Sequence, residues 1–188
     1  MSAAKDLRAM LAGRGRKVAF HDIVTLCVCR AVANWPLVNA LYGEEEITLF
    51  GDVNMGVAVG LEDGLVVPVV KGANHLSLAE LAAESRRVIA LAREGKLTPG
   101  DLAGGTMTLS NLGMYGVRRF DAILNPPESC ILALGSIEDR PAVVDGQLAI
   151  RPLMTITATF DHRLVDGAYG AGFLQELKET LEDPRLLL

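Results

Sequence analysis

Thr157-Ala158-Thr159-Phe160-Asp161-His162-Arg163-Leu164-Val165-Asp166-Gly167 is the stretch on which the fold turns. Its first four residues close the run Leu153–Phe160, rich in β-branched and aromatic side chains, which reads as a strand. Its end opens a helix over Ala168 to Leu181, with apolar positions at 169, 173, 174, 177 and 181 and a stop at Asp183-Pro184. Between strand and helix lies a D-H-R-x-x-D-G cluster. A strand end holds a side chain rigidly while the loop leaves it accessible, so catalytic groups favour such places. An imidazole ordinarily titrates near about 6.5, which suits proton transfer around neutrality and makes His162 the candidate. Asp161, its neighbour in extended backbone, faces the opposite way. Asp166 stands at the helix start, where it can cap the helix and hold the loop. The spacing alone fits a D-G turn carrying a chance histidine equally well.

Upstream, Gly104-Gly105-Thr106-Met107-Thr108-Leu109-Ser110-Asn111-Leu112-Gly113 is a second candidate. A hydroxyl at a strand end, with glycines permitting close approach, can donate a hydrogen bond to a developing oxyanion, which points to Ser110. A Ser110–His162 hydrolase pair has no positive support, because the G-x-S-x-G elbow is missing. Further strands are expected at Ile131–Ile137, Ala142–Val144 and Gln147–Ile150, with Asp145-Gly146 as a two-residue hairpin turn. Val53–Gly60 and Leu65–Val70 flank Glu62-Asp63-Gly64 and read as another hairpin. Helices are expected over 3–12, from an N-cap at Asp22 to Pro36, and from Ser77, which has capping-box spacing to Glu80. His75 reads as a surface loop residue, and Cys27 and Cys29 as small core residues. The pattern is one compact α+β domain, with helices packed on a largely antiparallel sheet.

The 188 residues carry 18 Lys+Arg against 23 Asp+Glu, and residues 1–17 alone hold five basic side chains and one acidic. A net-acidic body argues against nucleic acid as the main partner. Half the residues are hydrophobic, which excludes intrinsic disorder. A mean hydropathy of +0.30 is high for a monomer and points to a large core or a surface covered by a partner. Three cysteines form no C-x-x-C pair, so a reducing cytosol is expected, and histidines at 21, 75 and 162 offer no zinc-ligand spacing. There is no run of about 18 apolar residues to cross a membrane.

The run D-H-R-L-V-D-G at 161–167 resembles the signature of the dihydrolipoamide acyltransferases, the catalytic cores of 2-oxo acid dehydrogenase complexes. Asn54-Met55-Gly56-Val57-Ala58-Val59, Asp63-Gly64-Leu65-Val66-Val67-Pro68-Val69, Thr108–Gly113, Asn125-Pro126-Pro127 and the closing Leu186-Leu187-Leu188 fit in the family's order. The similarity covers nearly the whole chain. H-x-x-x-D-G alone is less specific, since chloramphenicol acetyltransferases and condensation domains also carry it. The resemblance implies a chloramphenicol-acetyltransferase-like two-layer sandwich. It also implies acyl transfer from a dihydrolipoyl thioester to coenzyme A. By that likeness His162 is the general base, Ser110 the oxyanion donor, and Asp166 a residue orienting His162 or its loop. Coenzyme A is then a substrate, and the lipoyl group comes from a separate domain or chain. No lysine of 1–188 sits in a lipoyl-domain setting, and by the same likeness the family's peripheral-subunit-binding module, N-terminal arm and first strand are expected to be missing from 1–188. Acetyl is the expected acyl group, because Ser110–Gly116 is closer to the pyruvate and acetoin members than to the succinyl members. The family implies a homotrimer with interfacial active sites and a higher cubic or icosahedral assembly. Decarboxylase and dihydrolipoamide dehydrogenase components are the expected partners, in the bacterial cytosol or the mitochondrial matrix. The rival expectations are a non-catalytic scaffold core and an O-acetyltransferase of the chloramphenicol type.

Overall fold

A computed structural model describes residues 1–184. The closing leucines at 186–188 lie outside the described residues. The chain opens with two helices, α1 (Ser2–Gly13) and α2 (Phe20–Val32). α2 buries Ile23, Val24, Cys27, Val28, Ala31 and Val32, as its nearly all-round apolar sequence requires. It starts earlier than Asp22: Ala19 is the N-cap, and Asp22 in the first turn accepts the Ala19 N–H at 2.8 Å through Oδ2. An acidic side chain in the first turn satisfies the N–H of the cap residue itself, where a capping side chain would take one further into the turn.

Two short strands follow, β1 (Ala40–Tyr42) and β2 (Ile47–Leu49), then β3 (Met55–Val57), β4 (Val59–Leu61), β5 (Gly64–Val66) and β6 (Val69–Val70). The expected hairpin is present in two pieces: β4 pairs with β5 at the tip, while β3 and β6 join the main sheet. α3 (Leu78–Arg93) has the capping box read from sequence, with Ser77 as N-cap and Glu80 returning to the Ser77 N–H. After the short α4 (Pro99–Leu102) come β7 (Met107–Asn111), β8 (Cys130–Leu134), β9 (Glu138–Val144), β10 (Gln147–Leu153) and β11 (Ile156–Phe160), then α5 (Gly167–Glu182). Asp145 and Gly146 both have positive φ, +51° and +78°, as a tight turn between β9 and β10 demands.

The main sheet has the order β11-β8-β7-β3-β6. Its outer pairs are antiparallel and its two central pairs, β8–β7 and β7–β3, are parallel. The sheet is therefore mixed at its centre, and its antiparallel character comes from the edges and from the separate hairpins. All five residues of β8 are buried, which is why Cys130-Ile131-Leu132-Ala133-Leu134 reads as an unbroken apolar run. Leu153–Phe160 is two strands rather than one: β10 ends at Leu153, and β11 leaves for the main sheet at Ile156. Gly56 has to be glycine, because a Cβ there would stand 2.8 Å from Thr108 Oγ1 and from a Val67 methyl. α1, α2, α3 and α5 supply the helical part of the core.

Candidate functional site

β11 delivers the D-H-R-L-V-D-G loop, and local hydrogen bonds shape it. Thr157 and Thr159 hydroxyls donate to the carbonyls of Phe120 and Ala122, pinning the strand's outer edge at 2.5 and 2.7 Å. The Asp161 N–H donates to the Ser129 carbonyl at 2.9 Å, and the Asp161 carbonyl accepts from the N–H groups of Leu164 and Val165. Leu164 and Val165 turn inward and are buried, so His162 and Arg163 are left outside. Asp166 is the N-cap of α5, accepting the Tyr169 N–H at 2.8 Å through Oδ1. Its carboxylate is engaged in holding the helix start, the loop-holding half of what the sequence leads one to expect. His162 is exposed, and its ring makes no hydrogen bond among the described residues.

Asp161 and Arg163 clamp the loop from either side of His162. The Asp161 carboxylate accepts the Arg163 backbone N–H at 3.1 Å, Nε at 2.9 Å and Nη2 at 2.6 Å. The Arg163 hydrogen bonds hold the Asp161 carboxyl below the usual carboxylate range, against the opposing effect of partial burial. The Arg163 guanidinium also lies over the Tyr42 ring, 4.2 Å from its centroid.

Ser110 stands near the C-terminal end of β7, partly exposed, and its hydroxyl has no partner among the described residues. It opens into a pocket of about 180 Å³ together with His21, Arg93, Asn111, Met114 and Tyr115. The glycines at 104 and 105 lie at the other end of β7, so they do not serve Ser110 as the sequence suggests. Close approach there belongs to Gly113, where a Cβ would stand 2.7 Å from the Gly135 carbonyl oxygen. His21 places Nε2 3.0 Å from Asp22 Oδ1. Burial pushes the Asp22 carboxyl up, but the adjacent His21 imidazole and the Ala19 N–H outweigh it and leave it low. The buried thiols of Cys27 and Cys29 are pushed up to about 12, so neither is a nucleophile near neutrality.

The two candidate residues do not meet within one chain. Ser110 pairs across to Ala133 on β8, and Ala133 pairs with Thr157 on β11. From that row β11 runs on through Phe160, opposite Cys130, before the loop begins. Four residues of strand carry the chain about 13 Å away by Asp161, on a strand two neighbours removed from β7. His162 and Ser110 thus sit at opposite ends of the sheet. Sequence reasoning missed Tyr42, which no local pattern marks, and Glu128, whose charge directly ahead of an apolar run was a usable signal. Glu128 is buried, accepting from Thr108 Oγ1 at 2.5 Å and Asn125 Nδ2 at 3.1 Å. Among the described residues no cluster of His, Cys, Asp or Glu is placed to hold a metal, and no helix is long and apolar enough to cross a membrane.

The family model described as 2-oxoacid dehydrogenases acyltransferase (catalytic domain) matches residues 1–188. The dihydrolipoyllysine-residue acetyltransferase component of the pyruvate dehydrogenase complex of Rickettsia bellii is 42% identical over 175 residues, which is 93% of this chain and 42% of the relative. The dihydrolipoyllysine-residue succinyltransferase component of the 2-oxoglutarate dehydrogenase complex of Bartonella vinsonii subsp. berkhoffii is 47% identical over 174 residues, again 93% and 42%. The chain thus spans less than half the length of these relatives. A dihydrolipoamide acetyltransferase of Azotobacter vinelandii, solved to examine a serine, a histidine and an asparagine in its catalytic mechanism, superimposes with a TM-score of 0.90 at 28% identity, covering 98% of this chain and 76% of that one. A chloramphenicol acetyltransferase shares the fold, with a TM-score of 0.60 at 20% identity over 95% of this chain and 83% of its own.

Proposed function

The chain belongs to the 2-oxoacid dehydrogenase acyltransferase (catalytic domain) family, and on that premise we propose that it transfers an acyl group, acetyl by expectation, between a dihydrolipoyl thiol and coenzyme A. The observation that carries the residue assignment is spacing. The serine and histidine of the Azotobacter enzyme stand 52 positions apart with the asparagine four further on, as Ser110, His162 and Asp166 do here. This chain has aspartate at the third position, where it caps α5.

In the proposed reaction the His162 imidazole takes the proton of the attacking thiol. Moving a proton from an ordinary thiol to an ordinary imidazole is uphill by about 2 pH units, roughly 2.7 kcal/mol, a cost small enough to meet within the transition state. The thiolate forms a new C–S bond at the thioester carbonyl, and the Ser110 hydroxyl donates to the oxyanion. The old C–S bond then breaks, and the leaving thiolate takes the proton back from the imidazolium. Because Ser110 and His162 occupy opposite ends of one sheet, the working pair comes from two copies of the chain. That reading fits a homotrimer with interfacial sites, within a larger multienzyme assembly that supplies the lipoyl group from another domain or chain.

The test is acyl transfer from acetyl-CoA to free dihydrolipoamide by the wild type, His162→Ala and Ser110→Ala. Loss of the base should cost about 10²–10⁴-fold and loss of the oxyanion donor about 10²–10³-fold. A His162→Ala protein with wild-type turnover would overturn the assignment.

A further inference from the structure

His162 is exposed and makes no hydrogen bond among the described residues, so its position is set by whatever holds its two neighbours. On one side, the Asp161 N–H is tied to the Ser129 carbonyl at 2.9 Å. On the other, the Arg163 guanidinium is forked on the Asp161 carboxylate, which faces it with both oxygens. A fork between residues two apart closes the loop on itself but does not anchor it to the rest of the protein. Tyr42 supplies that anchor: its ring lies under the guanidinium, 4.2 Å from the centroid to Cζ. Tyr42 ends β1, and β1 is docked on the same segment that receives Asp161. The Ala40 N–H donates to Ser129 Oγ, and Leu41 bridges to Glu128. The loop is therefore held to one rigid seat at two points, through Ser129 and through Tyr42.

We propose that Tyr42 is a positioning residue for His162, acting through the face-on contact with Arg163; this rests on the reading of His162 as the base. The contact uses the ring face, which carries the negative quadrupole, and not the phenolic hydroxyl. Arg suits the position because its planar fork can bind a carboxylate edge-on and an aromatic ring face-on at once. A loop that loses this anchor keeps its own turn, its buried Leu164 and Val165 and its Asp166 cap, so the fold survives while the imidazole wanders.

The experiment compares Tyr42→Leu, Tyr42→Phe, Arg163→Gln and the Tyr42→Leu/Arg163→Gln pair in the assembled protein. Tyr42→Leu should lower kcat about three- to tenfold, the size of a partly exposed cation–π contact, with KM for acetyl-CoA and dihydrolipoamide little changed. Tyr42→Phe should restore kcat, because the ring face remains. The Leu change should add nothing once Arg163 is Gln. Amide hydrogen exchange over 161–166 reads the anchor without catalysis and should quicken in Tyr42→Leu and not in Tyr42→Phe. The inference is overturned if Tyr42→Leu matches the wild type, if Tyr42→Phe is as damaged as Leu, or if the two substitutions add. A wild type with no acyl transfer overturns the acyl-transfer reading alone, since the exchange comparison still decides whether Tyr42 holds the loop.

Discussion

If Ser110 and His162 act together only between copies, two inactive variants should rescue one another. The magnitude follows from the sheet. Ser110, Ala133 and Thr157 form one row across β7, β8 and β11. About 13 Å of strand then separates that row from Asp161, and two strand spacings of about 4.8 Å separate β7 from β11. A serine and a histidine side chain cannot close that gap to the roughly 3 Å of a hydrogen bond. Ser110→Ala and His162→Ala, differently tagged and co-expressed in equal amounts, therefore assemble with random neighbours. In a cyclic oligomer a productive site then arises wherever an intact serine faces an intact histidine, about one interface in four. Acyl transfer by the purified mixture should recover to about a quarter of wild type, while each variant alone stays about 10²-fold or more below it. A mixed assembly no more active than its parents would refute the split site and place the pair within one chain.

Two further outcomes follow from single side chains. Asp166→Ala should cost about 1 kcal/mol of stability, the usual value of an N-cap, seen as a lower urea midpoint, and Asp166→Asn should restore most of it because an amide oxygen also accepts the Tyr169 N–H. Burial raises the Glu128 carboxyl despite hydrogen bonds from Thr108 and Asn125, so the native state holds that proton more tightly than the unfolded chain. The stability this confers is present below the ordinary glutamate range and is lost as pH rises through the raised native value. Glu128→Gln, which never ionises, should gain in stability on the wild type as pH rises from the ordinary glutamate range through the raised native value, read from urea midpoints, and a difference constant with pH would contradict the reading.

How much of this was legible in the sequence depends on the range over which each feature is determined. The capping box at Ser77 and Glu80, the Asp145-Gly146 turn and the passage from β11 through D-H-R-L-V-D-G into α5 are decided within a few residues, and they stand where local patterning puts them. The start of α2 shifted because an aspartate in the first turn can do a cap's work, which composition does not distinguish. Met154 and Thr155 separate β10 from β11 without any breaker residue, because what ends β10 is the move to a different sheet partner. Tyr42 and Arg163 are 121 positions apart, and nothing near either residue foretells that one will lie over the other.

Strand sense had the largest consequence and the weakest local signal. Thr106–Ser110 and Ile131–Ile137 look alike whether their strands run parallel or antiparallel. Parallel pairing of β7 with β8 sends Ser110 toward the end of the sheet where β8 finishes. Antiparallel pairing of β8 with β11 sends His162 toward the end where β8 begins. Had β7 paired antiparallel to β8, both residues would lie at the same end and one copy could hold the pair. On the proposed reading the motifs name the reacting groups, while the direction of β7 against β8 keeps them apart within one chain. The same division accounts for a hydrophobic chain whose proposed base has no hydrogen-bond partner among its own described residues.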